Sequence, residues 1–154
     1  MVITDGLGCE ILEREECLQL IDSRSESVGR IGFIDAEALP AILPVNFRLM
    51  GDYVVFRTGV GSVANAVSEN QVMAFEVDEV DAYGRRCWSV LVRGTAAFLP
   101  DDCVSSGPEL PRALVPVPGS QIVRIASTLV TGRRFSLPVF RSKSHRADAN
   151  PGVP

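Results

Sequence analysis

The sequence predicts a mainly β fold, an antiparallel barrel with few helices. Six or seven short runs of β-branched and aromatic residues are separated by Gly, Pro, Asp and Asn, the local pattern of strands joined by turns. Only two stretches have a helical pattern, too few for a parallel sheet with crossover helices. At 154 residues the chain is long enough for one domain whose core needs no disulfides.

The domain boundaries follow from composition. We assign residues 1–9 to a flexible N-terminus and residues 10–140 to a single folded domain. From Arg141 onward the chain is polar and ends in Pro and Gly, so residues 141–154 are expected to be a disordered tail.

The first predicted element is an amphipathic helix over about Glu10–Ser23. Acidic residues crowd its early turns, where they favour the positive end of the helix dipole. An apolar face on the same stretch, typical of a helix that covers one end of a sheet, is made by Cys17, Leu18, Leu20 and Ile21.

Strands are predicted, in chain order, over Val28–Ile34, Ile42–Phe47, Tyr53–Thr58, Gln71–Val77, Trp88–Phe98, Gln121–Ile125 and Leu129–Phe135. Because proline cannot donate to a strand ladder, Pro40 and Pro44 place the second strand at an edge or a bulge. The backbone from Pro44 to Phe47 is therefore expected to be partly unpaired. Long loops are predicted over Asp78–Arg86 and over residues 101–120, the second with a turn of helix near Glu109–Leu114.

A glycine-rich turn after the third strand is the strongest candidate for a binding site. Gly59 and Gly61 free the backbone, and Ser62 is a suitable N-cap for a short helix over about Val63–Glu69. With Arg57 and Thr58 nearby, the free N–H groups of that helix could bind a phosphate. This stretch alone leaves an ordinary capped helix equally open.

Charge and cysteine usage exclude several classes. A net charge of −4 argues against nucleic acid as a main partner. No apolar run is long enough to span a membrane, and residues 1–6 lack the pattern of a signal peptide, so a cytoplasmic location is expected. The four cysteines (Cys9, Cys17, Cys87 and Cys103) lack metal-site spacing and are interpreted as free structural thiols.

The folded region is expected to lack a histidine for a Ser/His or Cys/His nucleophilic pair or for a histidine-based metal site. Its only histidine, His145, lies in the predicted tail, so no histidine base or ligand is available to the domain. The carboxylates Glu76, Asp78, Glu79 and Asp81 are interpreted as a solvated turn rather than a catalytic pair. If the protein is an enzyme, a cofactor should carry the chemistry.

Five segments in order resemble the pyridoxamine 5′-phosphate oxidase-like flavoproteins, and most closely their small actinobacterial members. They read ALPAILPVNF, VVFRTGVGS, MAFEVDE, CWSVLVRGTA, and VRI with TGRRF, and the similarity covers about Glu13–Phe135. The resemblance implies a six-stranded antiparallel split β-barrel of Greek-key type. It also implies a homodimer with two FMN molecules at the subunit interface.

The resemblance further assigns cofactor-binding residues. Val45 and Asn46, with Pro44 and Phe47, would line the flavin ring. The phosphate would be held by Arg57, Thr58 and Ser62. The next subunit would cover the cofactor with Trp88 and Ser89, and two arginines near the barrel end, Arg133 and Arg134, would approach the same pocket.

One position departs from this family pattern. Relatives usually carry Gly-Ser-Lys where this chain has Gly61, Ser62 and Val63, so the phosphate lysine is missing. FMN is then expected to bind more weakly. The resemblance implies an FMN-dependent oxidoreductase acting on an unknown small substrate. The alternatives are an F420-dependent reductase and a flavin-binding or cofactor-free dimer without catalysis. No catalytic residue and no metal site is assigned.

Overall fold

A computed structural model of the chain describes residues 3–81, 83, 85–100, 110–115 and 119–136. Within these ranges the chain forms eight strands and two helices. In order they are β1 (Glu10–Leu12), α1 (Arg14–Ser23), β2 (Val28–Ile34), β3 (Pro40–Met50), β4 (Tyr53–Thr58), α2 (Ser62–Ser68), β5 (Val72–Asp81), β6 (Arg86–Phe98), β7 (Gln121–Ala126) and β8 (Leu129–Ser136).

Six of the strands close into an antiparallel barrel. The ring runs β2–β3–β4–β7–β6–β5 and returns to β2, with every neighbouring pair antiparallel. Strand β8 adds to the first part of β6, and β1 adds to β8, so these two extend a sheet outside the ring. The predicted six-stranded antiparallel barrel is confirmed.

Strand β6 belongs both to the barrel and to the sheet extension formed with β8, because it changes partner along its length. Residues Arg86–Arg93 pair with β8, whereas Ala96–Phe98 pair with β7. Gly94 lies at the change, where the end of β7 passes so close that a Cβ atom there would overlap the carbonyl group of Ala126. A glycine at this point therefore allows the barrel to close.

The interior of the barrel is filled by aromatic and branched side chains. Phe47 and Phe75 meet edge to face with their ring centroids 4.7 Å apart, and both are fully buried. The alternation predicted for β6 is confirmed, since Val90 and Val92 are buried while Arg93 on the other face is exposed. Helix α1 buries Cys17 and Ile21 against this core.

The N-terminal helix begins later than predicted. The chain from Glu10 to Leu12 pairs with β8, and the helix starts at Arg14. Arg134 of β8 stabilises this arrangement, since its Nη1 donates to Glu10 at 3.1 Å and its Nη2 to Glu16 at 2.6 Å. A long-range strand partner has therefore overridden a local pattern that was helical by composition.

Other boundaries also shift. The prediction that Asp78–Asp81 belongs to a loop is wrong, because these residues continue β5 and pair with Arg86–Ser89 of β6. Residues 110–115 have no helical turn, and the rest of the predicted loop over 101–120 lies mostly outside the described residues. The predicted tail is also outside them. Neither helix in the described part is long and apolar enough to cross a membrane.

Candidate functional site

A cavity forms where β3 and β4 separate. These strands pair only over Phe47–Met50 and Tyr53–Phe56. Beyond that point the first half of β3 stays paired with β2, while Arg57 and Thr58 stay paired with β7. Pro44 lies in the separated half and lacks the N–H donor that a second neighbour would use. The prediction that β3 has a free edge near Pro44 is confirmed.

We call the space between the separated strands the splay cavity; its volume is about 300 Å³. Two walls are contributed by the strands, with Val45 on one side and Arg57 on the other. Helix α2 contributes Val63, and the irregular segment 110–115 contributes three residues. The cavity is at the small end of the usual range for ligand pockets.

The side chains around the splay cavity are mainly apolar, with a few polar groups. Apolar lining comes from Ile31, Leu43, Val45 and Val63, among others. The polar side chains are those of Arg57, Thr58 and Ser120. Such a combination suits a ligand with a flat apolar part and an anionic end.

Among the described residues, Arg57 is the one cation that lines the splay cavity. Its Nε donates to the carbonyl oxygen of Pro111 at 3.1 Å. Among the described residues no carboxylate lies within ion-pair distance of it, in contrast to six other arginines that have such partners. An arginine without a carboxylate partner can bind an incoming anion without first losing an ion pair.

The helix after the glycine turn is capped differently from the prediction. Gly61, with φ 143°, is the N-cap, and Ser62 is the first helical residue and makes no capping hydrogen bond. The predicted role of Ser62 as N-cap is therefore wrong, because the backbone turn needs a positive φ that glycine adopts freely. Ser62 lines a separate hollow of about 210 Å³ with Asn65 and Glu69.

Val63, the position where the family resemblance implies a lysine, is only 6% exposed and contacts both the splay cavity and the core. This departure from the family pattern thus lies directly in the cavity wall. With an apolar side chain at position 63, Arg57 is the sole cationic group of the cavity wall in the part of the chain that the structure describes.

Two further residues that the resemblance places against the flavin ring, Asn46 and Phe47, do not line the splay cavity. Asn46 lines a hollow of about 280 Å³ with Glu26, Leu110 and Arg112. The side chain of Phe47 is fully buried in the barrel core. Because side chains alternate along β3, Val45 points inward at the cavity while Asn46 points to the other face.

The outer face of β8, β6 and β5 carries a second, wider depression, which we call the sheet groove. It has a volume of about 550 Å³ and is lined by Ile11, Ser89, Leu91, Arg133 and neighbouring residues. Ser89 therefore faces away from the splay cavity of its own chain.

Trp88 points to the opposite side of the sheet from Ser89 and is 8% exposed. Its Nε1 donates to Glu79 at 3.1 Å, and Glu79 also pairs with Arg24 at 3.3 Å. Most of the indole ring thus belongs to the core of its own protomer, and its predicted role over a partner's cofactor stays a prediction.

Arg133 and Arg134 do not line the splay cavity in this chain. Arg133 lines the sheet groove and pairs with Asp5 at 3.5 Å, and Arg134 holds Glu10 and Glu16. Asp5 also accepts N–H groups of Cys9 and Leu7, which lower the pKa of its carboxyl group. These contacts order the N-terminal segment against β8.

The acidic residues of β5 serve structural contacts. Arg30 of β2 donates to Glu76 at 3.1 Å and to Asp78 at 2.7 Å. Burial and the neighbouring Asp78 carboxylate raise the pKa of Glu76, against the opposing effect of Arg30. In the part of the chain that the structure describes, no three acidic, histidine or cysteine residues lie close enough to hold a metal.

Sequence reasoning missed the segment 110–115 as part of the site. Ala113, Leu114 and Val115 line the splay cavity, although the stretch has the composition of a loop. The available signal was this run of three apolar residues inside a Pro- and Ser-rich stretch. An apolar run in a loop needs a surface to cover.

Several known proteins are similar to this chain in sequence and in fold. Residues 13–134 match the family model described as pyridoxamine 5′-phosphate oxidase. An uncharacterized protein of Mycobacterium tuberculosis is 33% identical over 130 residues, which cover 80% of this chain and 84% of that protein.

Two solved structures extend the similarity. An FAD-binding protein of Mycobacterium smegmatis is 33% identical with a TM-score of 0.64, over 82% of this chain and 98% of that one. A Corynebacterium glutamicum protein named as a candidate pyridoxamine 5′-phosphate oxidase is 28% identical with a TM-score of 0.69, over 85% and 96% of the two chains. The chain belongs to the pyridoxamine 5′-phosphate oxidase family.

Proposed function

We propose that this protein binds FMN in the splay cavity and is a flavin-dependent oxidoreductase for a small substrate. The observation that carries the proposal is the convergence of five residues on one cavity. The family resemblance puts all five against the flavin, and they come from three separate elements: Pro44, Val45, Arg57, Thr58 and Val63.

The chemistry of the cavity fits a flavin mononucleotide. Leu43, Val45 and Ala113 offer apolar surface for a planar ring. Arg57 offers a guanidinium for the phosphate, and its planar donors match phosphate oxygens. The FAD-binding relative of Mycobacterium smegmatis supports a flavin as the ligand class.

A bound flavin would supply the hydride and electron transfer, as cofactors do in such enzymes. The residues of the chain would bind it, orient it and exclude water. Among the lining side chains only the hydroxyls of Thr58 and Ser120 and the guanidinium of Arg57 are polar, and none of these is a base at neutral pH. Acid–base chemistry by the protein is therefore not part of the proposal.

Binding is expected to be weaker than in relatives that carry the lysine. A hydrogen bond to a charged group contributes about 1.5–3 kcal/mol, equivalent to about one to two powers of ten in affinity. Val63 contributes no such bond. The dissociation constant for FMN should therefore depend strongly on the remaining cation, Arg57.

We further propose that the working unit is a homodimer. Leu43 and Leu114 at the splay cavity are both at least 40% exposed, so a ligand there has an apolar side that this chain leaves uncovered. Ser89 lines the sheet groove and not its own splay cavity, so the cofactor contact that the resemblance implies for it requires a flavin bound in a partner. A second chain that covers the splay cavity would remove from water both the exposed leucines of the cavity and the Ser89 of the covering chain.

Titration of the purified, flavin-free protein with FMN tests the proposal. Quenching of flavin fluorescence with saturation at one FMN per chain is the expected result, together with a dimer mass in solution. FAD and F420 are titrated in parallel, since F420 binding in place of FMN would replace the proposed cofactor. A protein that quenches none of the three is a cofactor-free module, and the proposal is then wrong.

A further inference from the structure

The segment Leu110–Val115, which we call the strap, lies along one side of the splay cavity. Ala113, Leu114 and Val115 line the cavity, while Pro111 is buried and Arg112 is exposed. The strap has no strand or helix of its own, so no backbone ladder holds it. Its position depends on side-chain contacts and on packing.

One side-chain hydrogen bond connects the strap to the barrel. Arg57 Nε donates to the Pro111 carbonyl at 3.1 Å. The backbone of Arg57 is fixed by its pairing with Ile122 of β7, so the donor stands on a rigid strand. A guanidinium carries five N–H donors, and this bond uses only one.

We propose that the strap covers one side of the splay cavity and that Arg57 is the residue that positions it. One edge of the guanidinium holds the Pro111 carbonyl, and its other donors face an anionic group of the bound ligand. The choice of FMN as that ligand rests on the proposed function. The same side chain then takes part in both events, so a ligand that fixes Arg57 also favours the closed strap.

Limited digestion of the full chain with trypsin measures strap opening directly. Trypsin cleaves after Arg112 in the exposed middle of the strap, and mass spectrometry identifies the fragment that ends there. Cleavage after Arg93, inside β6, is the internal reference for global unfolding. Under brief digestion the cleavage rate follows the population of the open form.

Without ligand, Arg57→Gln is expected to raise cleavage after Arg112 about tenfold, the factor lost with one charged hydrogen bond. Cleavage after Arg93 should stay unchanged. Arg124→Gln is the matched control: it removes an arginine that stacks on Tyr53 in the same part of the barrel, and neither rate should change. Equal rates in Arg57→Gln and the native protein, or parallel acceleration after Arg93, would overturn the proposal.

Addition of FMN to the native protein is expected to slow cleavage after Arg112 at least several-fold. Pro111→Gly keeps Arg57 but loosens the strap, and should speed both this cleavage and the release of FMN. If FMN fails to bind while the ligand-free effect of Arg57→Gln persists, the proposed function fails and the positioning role stands. If FMN binds without protecting Arg112, strap closure is wrong and the proposed function stands.

Discussion

The splay cavity and the sheet groove differ in how their charges are used. The arginine of the splay cavity, Arg57, has no carboxylate partner in the described structure. Of the charged side chains that line the sheet groove, Arg133 pairs with Asp5 and Glu76 pairs with Arg30, while the exposed Arg93 has no carboxylate partner among the described residues. The walls differ as well, since the splay cavity is lined by β2, β3, β4, α2 and the strap, whereas the sheet groove lies on one open sheet face. A cation without a carboxylate partner in an apolar recess is suited to an anionic ligand, and mostly paired charges on an open sheet face are suited to a protein surface.

The origin of the two depressions explains this difference. The splay cavity exists because the barrel closes elsewhere, through β6, β7 and β5, while β3 and β4 are free to separate. The sheet groove exists because β8 and β1 extend the sheet beyond that ring. Four substitutions should support or contradict this contrast between the splay cavity and the sheet groove.

The largest effect is expected from Gly94→Ala, which blocks the closure of the barrel. The new methyl group would overlap the Ala126 carbonyl, a backbone group that cannot move without opening β7. We expect a loss of about 3 kcal/mol or more in the free energy of unfolding, measured by urea denaturation. Gly32→Ala is the control, because its Cβ would make an ordinary contact of 3.6 Å with Ala74. Similar losses in both variants would mean that β6 does not depend on Gly94.

The second largest effect is expected on FMN binding from substitution of Arg57, the arginine of the splay cavity. Arg57→Gln should weaken FMN binding about 10- to 100-fold, the value of one charged hydrogen bond, measured by fluorescence titration. Arg57→Lys keeps the charge and should lose less. Arg124→Gln should leave the affinity unchanged, and an equal loss in that variant would point to general electrostatics rather than to the splay cavity.

Val63→Lys should strengthen FMN binding about tenfold by restoring a cation to the cavity wall. The long side chain can keep its apolar stem on the wall and extend its ammonium into the cavity. Val67→Lys is the matched control, since Val67 is buried on the same helix but does not line the cavity. Unchanged affinity in Val63→Lys, with the fold intact by circular dichroism, would show that the phosphate is not beside residue 63.

The smallest effect is expected at the sheet groove, where Glu76 has a raised pKa through burial and the Asp78 charge. The folded state therefore holds this proton more tightly than the unfolded state. The resulting stability is fully present below the ordinary pKa of 4.5 and is lost as pH rises through the folded value.

Replacement of the Glu76 carboxyl group by an amide tests the direction of this pH dependence. Relative to Glu76→Gln, the native protein should lose a small part of its stability as pH rises above the ordinary pKa of 4.5 and through the raised folded pKa. Asp78→Asn should move the pKa of Glu76 back toward its ordinary value, as measured by carboxyl NMR titration. A Glu76 pKa that does not respond to Asp78→Asn would contradict the assigned cause.

Much of the barrel could be predicted because its strands have local signals. The prediction for β2 over Val28–Ile34 matches the structure, and the others were found within a few residues of their ends. The two misses have different causes. Strand β1 owes its strand form to β8, a partner far away in sequence, whereas the last part of β5 continues a hairpin with the nearby start of β6 despite an acidic composition typical of a loop. The prediction of a helix over Glu10–Leu12 weighed composition alone, and no local pattern reveals Arg134 as a partner.

The candidate site divides in the same way. Arg57, Thr58 and Pro44 were identified from their types and order, because a cation, a hydroxyl and a strand-edge proline carry recognisable chemistry. The strap could not be identified, since its role depends on where an irregular segment packs. Leu43 was likewise missed, because its exposure at the cavity follows from the separation of β3 and β4.

The sequence by itself determined the mainly β class, the net negative charge, the lack of a histidine in the predicted folded domain, and the family to which the chain belongs. These properties depend on residue types and short spacings. The tertiary structure alone decided which residues share a cavity, because strand pairing brings together segments that are far apart along the chain. Because side chains alternate along β3, Val45 lines the splay cavity while Asn46 lines another hollow. The glycine turn likewise places Arg57 and Ser62 in different cavities. Tertiary packing brings Arg57 to the Pro111 carbonyl across 54 residues of sequence.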